Sequence, residues 1–194
     1  MPTPPAGAIL RLSIPLGFEK TMKGLWGKVR MLDYQFVTDR LAVGGSIRTI
    51  EDMRELARAG ITHVINMQIE FDNRSLSDGT GIRILWNGCD DDHLPKPPEL
   101  FWPGVLFALE ALESAEGKVL FHCAAGIHRS PLMALAVLRV LGHVQQEAIG
   151  MIVRARPVAE FPPLYLESVE EFVREFQGAA EGEIPSAAQD DVGE

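Results

Sequence analysis

The sequence predicts an α/β domain with a central, mostly parallel sheet flanked by helices. Three observations carry that expectation. Short runs rich in valine, isoleucine and leucine alternate with helical-period segments between about Asp33 and Phe176, the order in which parallel strands are sheathed by helices. The stretch 118–141 reads as a buried strand, a tight loop and a helix in immediate succession. The chain has 194 residues, 46% of them hydrophobic and 23% charged, which suits one globular domain with a sizeable core.

The elements follow in order. Residues 1–15 are rich in proline and irregular in pattern. Phe18, Met22, Leu25, Trp26 and Val29 then recur at helical spacing among lysines. This stretch, 16–30, reads first as a short helix packing on its own domain and second as a basic amphipathic helix touching a membrane or an acidic partner. Val37–Thr38 and Leu41–Val43 read as short strands that end at Gly44–Gly45. A helix begins at Thr49, with Glu51 and Asp52 in its first turn, and stops at Gly60. Residues 62–67 form a buried-type strand, 70–81 a polar loop and 82–86 another strand. The acidic segment Asp90–Asp92 precedes a helix over 99–115. After the strand at 118–121 and the helix at 132–141, two helices over about 145–155 and 163–176 close the domain. The expected organisation is an extension over 1–32, a catalytic domain over 33–177, and an acidic, disordered tail over 178–194, which carries five acids and no base.

Composition removes several function classes. A net charge of −9 argues against nucleic acid as a partner. No apolar stretch approaches bilayer length, and the amino terminus has no basic region ahead of an apolar core, as a secretory signal would. Two cysteines, Cys89 and Cys123, are too few for a disulfide framework, so the expectation is a cytoplasmic protein, monomeric, in a reducing compartment. The five histidines have no ligand-like spacing, and neither a metal nor another cofactor is expected.

The chemistry concentrates in His122-Cys123-Ala124-Ala125-Gly126-Ile127-His128-Arg129-Ser130. Backbone N–H groups between a strand and a helix have no helical partners and can converge on one anion. The same positive field favours the thiolate form of a cysteine, its nucleophilic form. Arg129 adds a planar fork that can hold two phosphate oxygens. One loop therefore combines a nucleophile, an anion cradle and a charge clamp, which points to phosphoryl transfer onto sulfur.

With those residues in place, the chain resembles the cysteine-dependent protein tyrosine phosphatase superfamily, and within it the compact dual-specificity branch. The resemblance spans about Asp33 to Phe176 and includes Asp39–Gly44, the Arg129-Ser130-Pro131 junction and Arg156-Pro157. It implies that Cys123 attacks phosphorus to give a phosphocysteine and that Arg129 binds the phosphoryl oxygens. The loop Ala124, Ala125, Gly126, Ile127 and His128 would cradle the phosphate. Ser130 would donate a hydrogen bond to sulfur, and His122 would brace the loop. It further implies a general acid on a separate loop ahead of a proline-rich stretch. Here Asp92 is favoured, because Pro95 follows it by three residues, with Asp91 as the alternative; neighbouring acids are expected to raise one another's proton affinity.

Lesser expectations concern a pairing of Glu70 with Arg129; Cys89, read first as a small buried residue at a strand end and second as a partner of Cys123 under oxidation; His128, read as a contact for an anionic substrate or as part of the loop rim; and Arg154 and Arg156, read first as ordinary helix surface and second as contacts for an anionic substrate. The implied substrate is a phosphotyrosine, phosphoserine or phosphothreonine protein or peptide. The absence of lysine from positions 124, 125 and 128 lowers the expectation of an inositol lipid. The rival readings are the same chemistry on a phospholipid, an RNA 5′ end or a small phosphate ester, a phosphoprotein-binding module, and a sulfurtransferase.

Overall fold

The computed structural model describes residues 32–182; the expectations for residues before and after these lie outside the described residues. Five strands form one sheet: β1 (Tyr34–Phe36), β2 (Leu41–Gly44), β3 (His63–Gln68), β4 (Arg83–Cys89) and β5 (Val119–His122). Their order is β1-β2-β5-β3-β4, with β1 antiparallel to β2 and every other pair parallel. Among the described residues five α-helices accompany them: α1 (Ile50–Arg58), α2 (Pro98–Glu113), α3 (Arg129–Val140), α4 (Gln145–Ala155) and α5 (Pro163–Gly182). A 3-10 helix (Arg74–Ser77) lies inside the polar loop after β3.

Strand alternation sorts the core onto the two faces of the sheet. Leu41, Val43, Ile65, Met67, Val119 and Phe121 pack in one cluster with α2, α3, α4 and α5, whereas Ala42, Val64 and Leu120 pack in a second with Met53 and Leu56 of α1. The start of α1 is a capping box. Thr49 Oγ1 accepts the Asp52 N–H at 3.1 Å, and Asp52 Oδ2 accepts the Thr49 N–H at 3.0 Å. Helix α3 is buried all round through Leu138, because it runs between the sheet and the outer helices.

Several boundaries differ from expectation. Val37 and Thr38, expected in a strand, lie in a bend over 37–40 after β1, where Thr38 Oγ1 accepts the N–H groups of both Arg40 and Leu41. Strand β4 continues through Cys89 past the expected end at Trp86: Asn87 Nδ2 finds the Leu100 carbonyl at 2.8 Å, and Gly88 lets the irregular end of β3 approach, where a Cβ would lie 2.7 Å from Ile69 Cα. Helix α3 starts at Arg129, before the apolar run, so Arg129 and Ser130 stand in its first turn. Helix α5 runs on through Gly182, so residues 178–182 are helical where a disordered tail was expected. No helix among the described residues is long and apolar enough to cross a membrane.

Candidate active site

The parallel strands deliver their carboxyl ends to one edge of the sheet, where open α/β domains place their sites. The loop 123–128 joins β5 to α3 there, and its carbonyls from 124 to 127 are turned outward. Ala124 O accepts the Ser46 N–H at 3.2 Å and Ile127 O accepts the Glu160 N–H at 2.8 Å. Ala125 O and Gly126 O accept from the guanidinium of Arg156 at 2.7 and 2.6 Å. These peptides are trans, so each N–H points opposite its carbonyl; the N–H groups of Ala125, Gly126, Ile127 and His128 therefore face the inside of the loop. Gly126 N–H already donates to Cys123 Sγ at 3.2 Å. Gly126 is indispensable twice over: its φ is +69°, and a Cβ would lie 2.4–2.6 Å from the Arg156 guanidinium behind it.

Cys123 is buried at the bottom of this cradle. Ser130 Oγ lies 3.4 Å from Cys123 Sγ and 3.1 Å from the Gly44 carbonyl, so its one proton serves either acceptor. His122, fully buried, is held by an asparagine ladder that the sequence reading missed. Asn66 Oδ1 accepts the Gln68 N–H, and Asn66 Nδ2 donates to Phe71 O and to Asn73 Oδ1. That fixes Asn73 so that its Nδ2 donates to Ile47 O and, at 3.1 Å, to His122 Nε2. Burial pushes the His122 pKa down to about 4, outweighing the opposing effect of the Cys123 backbone, so the ring is neutral at physiological pH. An asparagine inside the apolar run Val64-Ile65-Asn66-Met67 was the available signal, since a buried amide needs partners.

Arg129 is 2% exposed and gripped from one side. Its NH1 and NH2 donate to the two Glu70 oxygens at 2.7 and 2.8 Å, and NH1 also reaches Cys89 O at 3.1 Å. The fork holds the Glu70 pKa down to about 2 and raises that of Arg129. Arg129 Nε is buried without a hydrogen-bond partner, and the carboxylate nearest to it is Asp91, with Oδ2 at 3.4 Å. Beside the loop, Ser46, Arg48, Gln68, Glu70, Phe71 and Ala124 line a cleft of about 490 Å³.

The acidic segment requires a correction. Asp92 turns away from the loop: its Oδ1 accepts from Lys96 Nζ at 2.5 Å and from the Leu94 N–H at 3.0 Å. Both bonds favour the carboxylate, Lys96 most, and lower the Asp92 pKa, against the expectation that adjacent acids raise it. Asp91 is the acid that faces the loop, with Oδ2 toward Arg129 and Oδ1 3.2 Å from His128 Nδ1. Arg156 is also reassigned. It is 2% exposed and buttresses the loop from behind, paired with Asp33 through NH1 and NH2 at 2.9 and 2.7 Å, and does not present itself to a substrate. Cys89 is a buried free thiol whose pKa burial pushes up to about 11. His93 and His128, distant in sequence, stand ring against ring with centroids 4.5 Å apart.

The family model described as "Dual specificity phosphatase, catalytic domain" matches residues 45–176. Mouse dual specificity protein phosphatase 26 is 37% identical over 95 residues, covering 46% of this chain and 44% of that protein. Mouse dual specificity protein phosphatase 15 is 29% identical over 156 residues, 76% of this chain and 64% of that protein. The matches thus span under two thirds of these relatives' length. Among solved structures, PTPMT1 in complex with PI(5)P superposes with a TM-score of 0.66 at 24% identity, over 76% of this chain and 98% of that one. Human DUSP28 superposes with a TM-score of 0.64 at 25% identity, over 74% and 95%. The family model spans the buried cysteine, the cradle of inward N–H groups and the arginine that closes it, and it covers more than half of the sequence: the chain belongs to the dual specificity phosphatase catalytic-domain family.

Proposed function

We propose that this chain hydrolyses phosphate monoesters of tyrosine, and of serine and threonine, on proteins or peptides, through a phosphocysteine at Cys123. One observation carries the reading: Cys123 Sγ, the inward N–H groups of residues 125–128 and the buried Nε of Arg129, which makes no hydrogen bond, converge, with the Asp91 carboxylate on the rim. In the first step the thiolate forms an S–P bond as the P–O bond to the leaving group breaks. The loop N–H groups and Arg129 hold the three equatorial oxygens, where the transition-state charge lies. Asp91 gives a proton to the departing oxygen. In the second step water attacks phosphorus, Asp91 takes a water proton, the S–P bond breaks and the sulfur leaves as thiolate toward the Ser130 hydroxyl. His122 and Arg156 act on the shape of the loop and touch no reacting atom. A thiolate nucleophile requires a reducing compartment, which supports the cytoplasm.

PTPMT1, solved with PI(5)P, shares the fold at 24% identity, which extends to likeness of architecture alone. The deciding experiment measures initial rates on phosphotyrosine, phosphothreonine and phosphatidylinositol-phosphate substrates, with Cys123→Ser as control. Peptide turnover that vanishes in Cys123→Ser, while phosphate analogues still bind, is the expected result. Turnover of lipid alone would move the substrate class. Activity that survives Cys123→Ser would overturn the mechanism.

A further inference from the structure

We infer that Asp91, His93 and His128 form a binding site for one zinc-class transition-metal ion on the rim of the Cys123 loop, and that the bound ion disables Asp91. One ligand atom from each residue lies within 4.8 Å of the other two. The Asp91 Oδ1 to His128 Nδ1 distance is 3.2 Å. Two donors each about 2.0–2.1 Å from a tetrahedral ion stand about 3.3 Å apart, so that pair is already spaced for it. The third ligand needs only a side-chain adjustment of His93, which is exposed and meets the His128 ring edge-on.

The surroundings match what a metal-bound histidine uses. His128 Nε2, the nitrogen not aimed at Asp91, lies 3.4 Å from Glu160 Oε2. A carboxylate there takes the Nε2 proton, leaves the Nδ1 lone pair free for a metal and fixes the ring's orientation. The backbone of His93 is tied from below, its N–H donating to Tyr165 Oη at 3.4 Å. The nearby positive group is Arg129, with Nε 3.4 Å from Asp91 Oδ2, and its charge is already shared with Glu70 in the two-bond fork. Two imidazoles and one carboxylate, with a fourth position open to water, suit zinc and disfavour calcium or magnesium, which take oxygen donors.

The ion accepts lone pairs from Asp91 Oδ1, His93 and His128 Nδ1; no electron changes hands. A carboxylate bonded to it carries no proton, so the leaving group goes without an acid. This inhibitory consequence rests on the reaction proposed above, whereas the binding itself does not.

The test therefore reads binding first, by calorimetric titration of Zn²⁺ into the full chain carrying Cys123→Ser, so that no active-site thiolate competes. One tight site is expected. Adding His93→Asn, which tolerates the φ of +60° at this position, should weaken it by about tenfold or more. Unchanged affinity in the double variant overturns the site. So does zinc binding present in the wild type and absent from Cys123→Ser, which would put the ion on the thiolate. In turnover assays, His93→Asn should raise the zinc concentration for half-inhibition by the same factor; equal inhibition of both overturns the inhibitory role. A wild type that turns over no phosphate ester would break the phosphatase reading and leave the binding result standing.

Discussion

The Cys123 loop and the acidic loop face each other across the site and are held by opposite means. From 124 to 127 every carbonyl of the first is tied to a group from another part of the chain: Ser46, Arg156 twice, and Glu160. The second, 90–97, pairs with itself through Asp92 and Lys96 and rests on α5 at few points, chiefly Tyr165 under Asp90 and His93 and Ser168 under Lys96. In the proposed reaction the cradle works through its backbone N–H groups, so the residues that decide its shape would not touch the phosphate. In the acidic loop the working group is one side chain, so adjacent residues of identical chemistry have different fates. The cradle should therefore fail through distant substitutions, and the acidic loop only through the residue that faces inward.

The largest effect is expected from Arg156→Met. It removes the donors to Ala125 O and Gly126 O and leaves Asp33, itself well exposed, free to hydrate. The loop carbonyls then have no reason to stay turned outward. An active-site displacement of the order of 1 Å lowers kcat/KM by about a hundredfold, and loss of a buried, multiply bonded guanidinium costs about 3 kcal/mol of stability. Steady-state kinetics on phosphotyrosine peptide and a denaturant melt measure both. Wild-type kcat/KM in this variant would show that the cradle holds its shape without the buttress.

The next is Asp91→Asn, which leaves the hydrogen-bonding outline of the side chain and removes its proton-transfer role. Turnover of alkyl phosphates, whose alkoxides leave poorly, should fall by about a hundredfold, with progressively smaller losses for aryl phosphates of more acidic phenols. A loss of the same size across that series would mean that Asp91 positions the loop and transfers no proton.

The two regions also differ in how far the sequence discloses them. The alternation of strands and helices around a mostly parallel sheet, the strand-loop-helix and the grouping of Cys123, Gly126, Arg129 and Ser130 in one loop were legible, because adjacent residues in a short loop must share one site; the order of the strands was not. The pairing of Glu70 with Arg129 was legible as an expectation, an acid just past a strand that ends beside the loop. Asn66 and Asn73 were not assigned, although a buried amide in an apolar strand advertised an unpaired need. Arg156 was misplaced because nothing local distinguishes a guanidinium on the surface from one folded under a loop thirty residues upstream. Asp92 was preferred over Asp91 on its spacing from Pro95; the direction in which Asp92 points is set by a lysine four residues on, whose chain is buried and whose ammonium takes that carboxylate. Proline spacing does not carry that information.

Within the cradle a subtler break is available through pH. Burial holds the folded-state pKa of His122 at about 4, below the ordinary histidine value of about 6.5, so between those values the unfolded chain takes up a proton that the folded chain refuses. Stability from this residue is complete above about pH 6.5 and is lost as pH falls toward 4. From pH 7 to pH 4.5 the loss is about 2 kcal/mol. Urea unfolding at the two values, compared with His122→Gln, measures it; the variant, unable to titrate, should lose less. Parallel losses in both proteins would place the acid sensitivity elsewhere.

The smallest effect belongs to Asp92→Asn, and it makes the contrast sharpest. Asp92 differs from Asp91 by one position and not at all in chemistry, yet its carboxylate is occupied by Lys96 and the Leu94 N–H. Asparagine keeps an acceptor for both donors. Lys96 retains its position over the Tyr165 ring, 5.4 Å from the centroid, and Ser168 still accepts its backbone N–H. Turnover of alkyl and aryl phosphates alike should stay within about twofold of wild type, because the Lys96–Asp92 pair, buried at the lysine and part-exposed at the carboxylate, keeps its hydrogen bonds and lies off the reacting groups. If Asp92→Asn instead reproduced the leaving-group dependence expected of Asp91→Asn, the loop would have to turn over on binding substrate. The two carboxylates would then exchange places, and the contrast between a fixed cradle and a fixed acid would become one between a fixed cradle and a moving acid.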